Sequence, residues 1–407
     1  MTNFDVIESY TEDFSKYPWN NKTEKYVGNL TSKTLTIAEV LVRSALIYTN
    51  IKPYNFKVRI TGLINNQKVI FGDDTSPYRA LIVDKDGIYD INWEGNRNAY
   101  CIWIDFIGEC NITITQLPTS ILKDFSGNGN HAYLYGGKGK LNSGMGVYKE
   151  DFTTWNYVPE RGDVTRSYNT IHITKVTNTV TANIIFKTNE FGNSITLKIV
   201  GATSDNPLMV GTYSKPNGYT AISKDGVYSF EIDEQYWGFR FNKDGDVNVT
   251  ITQIPDYPDQ LCYDNKMYAV AYDMPILTDY TVIAERTWFE KKGAFIVKGS
   301  SPNNGFVFER IDGSLERVQS LGAWNTITIN TDSVVSYLTK NKYNNSNIKN
   351  GIGIDEDVLC IGGSYQKETN GINIPFIGCH GNILIFNRTL TEYEISWVKN
   401  NLMCSKP

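Results

Sequence analysis

Asp124-Phe125-Ser126-Gly127-Asn128-Gly129-Asn130-His131 is the segment from which the fold of this chain is best predicted. Four of its eight residues are Gly or Asn, which tolerate a positive φ, so a tight turn is expected here. The next residues, Ala132 to Tyr135, are typical of a short strand. A turn and one short strand are not stable alone, so we expect this strand to join a sheet built from residues far downstream.

An internal repeat occupies most of the first 255 residues. Four segments recur in the same order, each at nearly the same distance along the chain. Phe14 and Phe152 of the first pair, for example, are 152 − 14 = 138 residues apart. Such ordered self-similarity indicates a duplicated module. The four pairs are Tyr10 to Phe14 with Tyr148 to Phe152, Lys57 to Gly62 with Thr196 to Gly201, Asp86 to Tyr89 with Asp225 to Tyr228, and Asn111 to Pro118 with Asn248 to Pro255.

Each copy of the module is predicted to be all-β. The chain holds 26 Tyr and 18 Phe in 407 residues, and only 20% of its residues are charged, which favours strands over helices. Polar and apolar residues alternate at Lys57 to Ile60 and at Ile112 to Ile114, the period of a half-buried strand. Short strands separated by turn signals indicate an immunoglobulin-like or jelly-roll β-sandwich in each copy.

The residues after Pro255 do not repeat and are predicted to form further strands followed by one helix. Thr391 is a suitable N-cap, with Glu394 at the capping-box spacing. The apolar stripe of this predicted helix is Ile395, Val398 and Leu402.

Two segments resemble the opening and closing signatures of laminin-G-like, concanavalin-A-type sandwiches. They are the 124–131 turn and the segment Ile385-Phe386-Asn387-Arg388-Thr389-Leu390-Thr391-Glu392-Tyr393-Glu394-Ile395. The resemblance implies one sandwich whose first strand is separated from its body by the second module, as an inserted domain. The alternative is a continuous C-terminal domain, with the strand after the turn docked on the first module.

The predicted fold class is therefore all-β, with two repeated immunoglobulin-like or jelly-roll sandwiches, a C-terminal concanavalin-A-like (laminin-G-like) sandwich and a short C-terminal helix. The predicted divisions are a leader or anchor at 1–9, the first module at 10–118, the first strands of the laminin-G-like sandwich at 119–147, the inserted second module at 148–256, and the body of that sandwich at 257–407.

This arrangement also resembles virion surface proteins of gut crAss-like phages, and most of all their head-fibre proteins. The resemblance implies a structural protein that is not an enzyme, that self-associates as a dimer or trimer, and that binds phage capsid proteins. It implies a location on the virion surface after synthesis in the host cytoplasm, and the N-terminus lacks the features of a signal peptide. The candidate capsid anchor is Asn3, Phe4, Val6 and Ile7, with an ordinary frayed terminus as the alternative.

A carbohydrate-binding adhesin, on a phage tail or a cell surface, is the alternative function. Laminin-G-like sandwiches often bind glycans or proteins through edge loops, so host-surface or mucosal glycans are candidate partners. The candidate glycan contacts are Trp288, Trp324, Tyr343 and Tyr365. In a chain so rich in tyrosine, ordinary surface or interface aromatics are the competing interpretation.

Other chemistry has weak support in the sequence. A glycoside hydrolase, the third hypothesis, needs paired carboxylates, and Glu231-Ile232-Asp233-Glu234 resembles such a pair, although solvated surface charges explain it better. No histidine or cysteine motif predicts a metal site, and no cofactor is expected. The net charge of −5 without a basic run disfavours nucleic-acid binding, and no apolar stretch is long enough for membrane insertion.

Overall fold

A computed structural model of the chain describes most of the two modules and of the C-terminal region. The described residues are 14, 26–48, 54–64, 66–73, 81–93, 100–136, 144–145, 148–177, 182–188, 192–258, 260–272, 274–275, 277, 280–298, 306–310, 316–320, 323–327, 335–339, 358–366 and 371–403. These residues form antiparallel strands almost throughout, with one α-helix near the C-terminus. The predicted all-β sandwich fold with a short C-terminal helix is confirmed.

Nine strands belong to the first module. They are β1 (Tyr26–Leu30), β2 (Thr34–Val40), β3 (Ser44–Tyr48), β4 (Tyr54–Thr61), β5 (Val69–Asp73), β6 (Leu81–Val83), β7 (Gly87–Trp93), β8 (Tyr100–Ile104) and β9 (Gly108–Gln116). They make one sheet in the order β1-β2-β9-β4-β7 and a second in the order β3-β8-β5-β6. The alternating apolar residues of β4 and β9, including Val58, Ile60 and Ile114, are fully buried between these sheets.

Three short strands follow, and the second module then begins. The three strands are β10 (Ile121–Leu122), β11 (Ala132–Tyr135) and β12 (Gly144–Met145). The strands of the second module are β13 (Asn156–Tyr157), β14 (Gly162–Arg166), β15 (Thr170–Val176), β16 (Ile185–Lys187), β17 (Asn193–Val200), β18 (Leu208–Gly211), β19 (Tyr219–Ile222), β20 (Gly226–Ile232), β21 (Trp237–Arg240) and β22 (Gly245–Ile254). Single 3₁₀ turns lie at Phe152–Thr154 and Pro159–Arg161.

The second module repeats the strand order of the first. Its sheets are β14-β15-β22-β17-β20 and β13-β16-β21-β18-β19, so each strand from β1 to β9 has a counterpart in the same place. Tyr89 donates its hydroxyl hydrogen to the carbonyl of Lys85 (2.6 Å), and Tyr228 donates to Lys224 in the same way (2.8 Å). The predicted duplication therefore extends to the conformation of individual turns.

A glycine and an aspartate close the same turn in both copies. Gly62 and Gly201 have φ values of +88° and +90°, and their backbone N–H groups donate to Asp86 and Asp225 respectively. A Cβ atom on Gly201 would lie 1.9 Å from the carbonyl oxygen of Asn248. Glycine is needed here for its backbone conformation and also for the close approach of β22.

Gly201→Ala is expected to destabilise the second module more than Gly192→Ala does. Gly192 has nearly the same φ, +92°, but a Cβ atom on this residue would meet open space, with no neighbouring atom within 4 Å. The Gly192 change is expected to cost about 1 kcal/mol for the left-handed backbone alone. The Gly201 change should cost about 1–2 kcal/mol more, because the clash displaces backbone. Urea denaturation of both variants measures the difference, and equal midpoints would contradict the close-approach argument.

Twelve strands and a helix follow the second module. They are β23 (Leu261–Tyr263), β24 (Tyr268–Ala271), β25 (Thr281–Trp288), β26 (Gly293–Lys298), β27 (Phe306–Arg310), β28 (Glu316–Ser320), β29 (Ala323–Ile327), β30 (Val335–Thr339), β31 (Leu359–Ile361), β32 (Ser364–Gln366), β33 (Gly371–Asn373), β34 (Gly378–Phe386) and the helix α1 (Glu392–Asn401). The two larger sheets here have the orders β10-β11-β24-β31-β26-β27-β28-β29 and β12-β23-β34-β25-β30, and β32 pairs with β33.

Strands from before the second module complete both of these sheets. β11 is antiparallel to β24, with Tyr135 opposite Tyr268, and β12 pairs with β23. The turn that precedes β11 has Gly127 at φ +86° and Gly129 at φ +79°, as its composition predicts. The C-terminal sandwich, as we call these two sheets, thus draws strands from both sides of the second module. The exact domain boundaries stay a prediction.

The helix α1 begins at the predicted cap. The Thr391 side chain accepts from the Glu394 backbone N–H and the Glu394 carboxylate accepts from the Thr391 backbone N–H, so the capping box is complete. Ile395 and Val398 are buried as expected. The prediction for Leu402 is wrong, because the helix ends at Asn401 and turns this side chain outward, and Met403 is buried instead.

Candidate functional site

The outer face of the eight-stranded sheet carries a cluster of tyrosines. In β11, Ala132 and Leu134 face the core of the sandwich, so Tyr133 and Tyr135 face away from it. The other members of this tyrosine cluster are Tyr268, Tyr272 and Tyr365. An outward face of a sheet is usually polar, and a buried aromatic face therefore indicates a contact with another part of the protein.

The rings of the tyrosine cluster pack and hydrogen bond with one another. Tyr135 stacks on Tyr268, its cross-strand neighbour, with ring centroids 5.1 Å apart and planes 11° from parallel. The hydroxyl oxygens of Tyr135 and Tyr272 are 2.8 Å apart, and Tyr365 meets Tyr272 edge to face. Burial raises the pKa of Tyr272 well above its usual value, so the hydroxyl remains a neutral hydrogen-bonding group.

The first module covers this cluster. Leu117, directly after β9, is buried among the tyrosines, and Ile88 on β7 packs against the same group. The guanidinium carbon of Arg59 lies 4.6 Å from the centroid of the Tyr272 ring, within cation–π range. Arg59 and Ile88 are register partners on the outer face of the first module. The tyrosine cluster is therefore the contact between the first module and the C-terminal sandwich, and we call it the tyrosine interface.

Arg59→Ala is expected to loosen the tyrosine interface by about 1 kcal/mol, the usual contribution of a cation–π contact. Lys198 occupies the corresponding place in the second module, where it is exposed, so Lys198→Ala is a matched control. Hydrogen exchange of the peptide that contains β24 measures the effect. We expect faster exchange in Arg59→Ala only, and identical exchange in the two variants would contradict the assignment of this contact.

Two of the predicted glycan-contact residues are described with their side chains. Trp288 is half-buried and packs edge to face on Phe376, with centroids 4.7 Å apart, against the core of the sandwich. Tyr365 is a member of the tyrosine cluster, where it packs edge to face on Tyr272. For Trp324 the structure gives only the backbone of β29, and Tyr343 lies outside the described residues, as do the predicted anchor residues Asn3, Phe4, Val6 and Ile7. A glycan-binding role for these residues stays a prediction.

The carboxylates considered for glycoside hydrolysis lie on the surface of the second module. Glu231 is exposed on β20 and is separated from Asp233 by the buried Ile232. Lys215 lies 2.6 Å from an Asp233 oxygen and 3.2 Å from a Glu234 oxygen. The hydrogen bond from Lys215 lowers the pKa of Asp233, whereas a general acid needs a raised pKa.

Metal sites and membrane spans are not found among the described residues. In that part of the chain, no group of three or more His, Cys, Asp or Glu side chains is arranged to hold a metal ion. Among the described residues, no helix is long and apolar enough to cross a bilayer.

The chain matches no model of a known protein family, and no curated protein sequence matches it significantly.

Sequence reasoning missed the tyrosine interface. The alternation of tyrosine with Ala132 and Leu134 in β11 was a usable signal, because it places large aromatics on the face opposite the core. The sequence alone does not show which residues cover these tyrosines. Arg59 and Ile88 lie far from β24 in the chain, and only the three-dimensional arrangement brings them to Tyr272.

Proposed function

We propose that this protein is a non-enzymatic structural protein of a bacteriophage virion, a capsid-attached head fibre or decoration protein that self-associates as a dimer or trimer. The observation that supports this most is the tyrosine interface, in which Leu117, Ile88 and Arg59 of the first module cover aromatic rings of the C-terminal sandwich. A protein that projects from a particle benefits from fixed contacts between its parts, since free hinges would let it collapse on the surface.

The repeated sandwich architecture supports the same proposal. Two modules with one strand order bury separate cores, and the sheets of the C-terminal sandwich draw strands from both sides of the second module. The carboxylates that a hydrolase hypothesis would use are ion-paired with Lys215 or solvated, which favours a structural role over catalysis. Under this proposal the protein resides on the virion surface and binds capsid proteins.

Sedimentation of particles tests the proposal. Virions from an infected culture are purified on a density gradient, washed in high salt and analysed by quantitative mass spectrometry, with a host cytosolic protein of similar mass as the control. We expect the chain to remain with the major capsid protein at a constant ratio. Recovery of the chain only among soluble proteins at the top of the gradient would overturn the proposal and favour an adhesin that is not carried by particles.

A further inference from the structure

The second module carries a ladder of three aromatic rings that reaches its surface. Phe186 on β16 packs against Tyr236, with ring centroids 5.7 Å apart, and Tyr236 stacks on Tyr213 at 5.0 Å and 24°. Tyr213 ends the ladder. Its ring stacks on Tyr236, yet 49% of the residue remains exposed to solvent.

Hydrogen bonds to the buried Asn183 hold the ladder in place. Tyr236 has a left-handed backbone, φ +60°, which is costly for a bulky residue. The side-chain amide of Asn183 donates to the Tyr236 carbonyl, and the side-chain oxygen of Asn183 accepts from the Tyr219 hydroxyl at 2.9 Å. Asn183 is completely buried, so the strained residue rests on a fixed support. A backbone held in a strained conformation is characteristic of a functional position.

The loop that holds Tyr213 is tied to the loop that holds Tyr236. Thr212 and Ser214 both donate side-chain hydroxyl hydrogens to the carbonyl of Gln235, at 2.7 and 3.0 Å. These two residues flank Tyr213, and Gln235 directly precedes Tyr236. The two stacked rings are therefore oriented before any ligand arrives, which lowers the entropic cost of binding.

The first module lacks these tyrosines. Gly211 and Gly238 face each other across β18 and β21, as Gly72 and Cys101 do across β5 and β8. Counting outward from these positions aligns Tyr213 with Asp74 and Tyr236 with Ala99 in the sequence. The two copies share the residues that close their turns. Neither aligned position of the first module is aromatic, so the repeated fold does not require a tyrosine at either place.

An exposed tyrosine ring with polar side chains on the same loops suits a sugar ring. The axial C–H bonds of a hexose present a weakly positive, apolar face that complements the negative face of an aromatic ring. Lys215, Asp233 and Glu234 belong to the same two loops and offer donors and acceptors for sugar hydroxyls. The acidic pair disfavours a nucleic-acid base with its phosphates, and a single ring offers no groove for an apolar peptide segment.

We propose that Tyr213 on the second module is the stacking platform of a glycan-binding site, supported by Tyr236 and Phe186. This site lies in the second module. The glycan contacts that the sequence predicts lie instead in the C-terminal sandwich. This proposal does not rest on the proposed virion role, because a glycan-binding ladder would serve a particle-bound or a free protein equally.

Affinity electrophoresis and calorimetry with defined probes test this site. The full chain is run through gels that contain a β-glucan, an α-mannan or a β-galactan, and is then titrated with the hexasaccharide of each polysaccharide that retards it. The variants are Tyr213→Ala, Tyr213→Phe, which keeps the ring, and Tyr393→Ala, which removes a still more exposed tyrosine on α1.

We expect at least one of these probes to bind wild type, and Tyr213→Ala to bind it about tenfold more weakly or worse. Tyr213→Phe and Tyr393→Ala should bind within about twofold of wild type. Thermal melts establish that Tyr213→Ala is folded. The proposal is overturned if wild type binds none of the three polysaccharides, or if folded Tyr213→Ala binds as tightly as wild type. The second result would place any glycan site elsewhere in the chain.

Discussion

Glu150→Ala is expected to destabilise the second module by about 3–5 kcal/mol, the usual cost of breaking a buried ion pair. Glu150 is almost completely buried and both of its carboxylate oxygens lie 2.7 Å from the Lys187 ammonium. The same carboxylate accepts from the indole N–H of Trp155 at 3.1 Å. Its removal therefore takes the ion pair from a mostly buried cation and a hydrogen-bond acceptor from a core indole.

The backbone of Glu150 is fixed independently of its side chain. The side-chain oxygen of Gln253 accepts from the Lys149 and Glu150 backbone N–H groups, and its amide donates to the Glu150 carbonyl at 2.8 Å. Gln253 lies at the end of β22, so this contact joins the start of the module to its last strand. The loss in Glu150→Ala should consequently come from contacts of the side chain, which are the ion pair and the hydrogen bonds from Trp155 and Asn193.

Urea denaturation of the full chain, read by hydrogen exchange of peptides from 148–256, measures this loss. The matched control is Glu231→Ala, which removes an exposed glutamate from the same module and should change the stability by less than about 0.5 kcal/mol. A double variant with Lys187→Met should recover part of the loss, since it also removes the buried cation that Glu150 pairs with. Equal effects of Glu150→Ala and Glu231→Ala would contradict the buried-pair account.

Acidification from about pH 6.5 to about pH 4 is expected to destabilise the C-terminal sandwich through His380. This histidine lies on β34, the strand between β23 and β25, and its side chain is buried. Desolvation lowers its pKa from 6.5 to about 4. Its Nε2 atom lies 3.0 Å from the Tyr263 hydroxyl, and its Nδ1 atom lies 2.7 Å from the Gly381 carbonyl oxygen. The carbonyl can only accept, so Nδ1 donates and Nε2 accepts from Tyr263, which fits a neutral ring.

The direction of this effect follows from proton binding in the two states. Between the two pKa values the unfolded chain holds a proton on this imidazole that the folded chain does not, so each fall in pH favours unfolding. The stabilisation is complete above about pH 6.5 and is lost progressively as pH falls to about 4. A difference of about 2.5 pH units corresponds to about 3 kcal/mol.

Denaturation midpoints at half-unit pH steps, read by hydrogen exchange of β23 and β34, measure the effect. His380→Gln keeps an acceptor for Tyr263 but does not titrate, so its stability should change less between pH 6.5 and 4. Carboxylates that titrate near pH 4 affect both proteins alike, so the comparison of wild type with His380→Gln removes their contribution. Parallel pH profiles for the two proteins would show that His380 is not the source of the pH dependence.

Much of the fold was predictable from local sequence. Turn closure by Gly201 and Asp225, positive φ at Gly127 and the capping box at Thr391 all depend on residues near one another in the chain or on a repeated pattern. The segment 36–44 resembles a helix in isolation, but its β-branched counterpart in the repeat predicts a strand, and β2 (Thr34–Val40) is a strand. Repetition supplied the information that a single copy lacks.

The sites depend on contacts that the sequence does not encode locally. Arg59 of the first module covers the ring of Tyr272 in the C-terminal sandwich. No sequence pattern near either residue predicts this contact. The stack of Tyr213 on Tyr236 requires a left-handed backbone at Tyr236, which sequence propensity disfavours for tyrosine. The composition shows many aromatic residues, but only the fold separates those that close an interface from those that stay exposed, such as Tyr213.

We propose that this protein is displayed on a virion, and immunogold electron microscopy can locate it on particles. An antibody raised against residues 148–256 is applied to purified particles, with preimmune serum as the control. We expect gold label distributed around the capsid. Label at the tail, or only on cell surfaces, would contradict it and would make the glycan-binding adhesin the leading function.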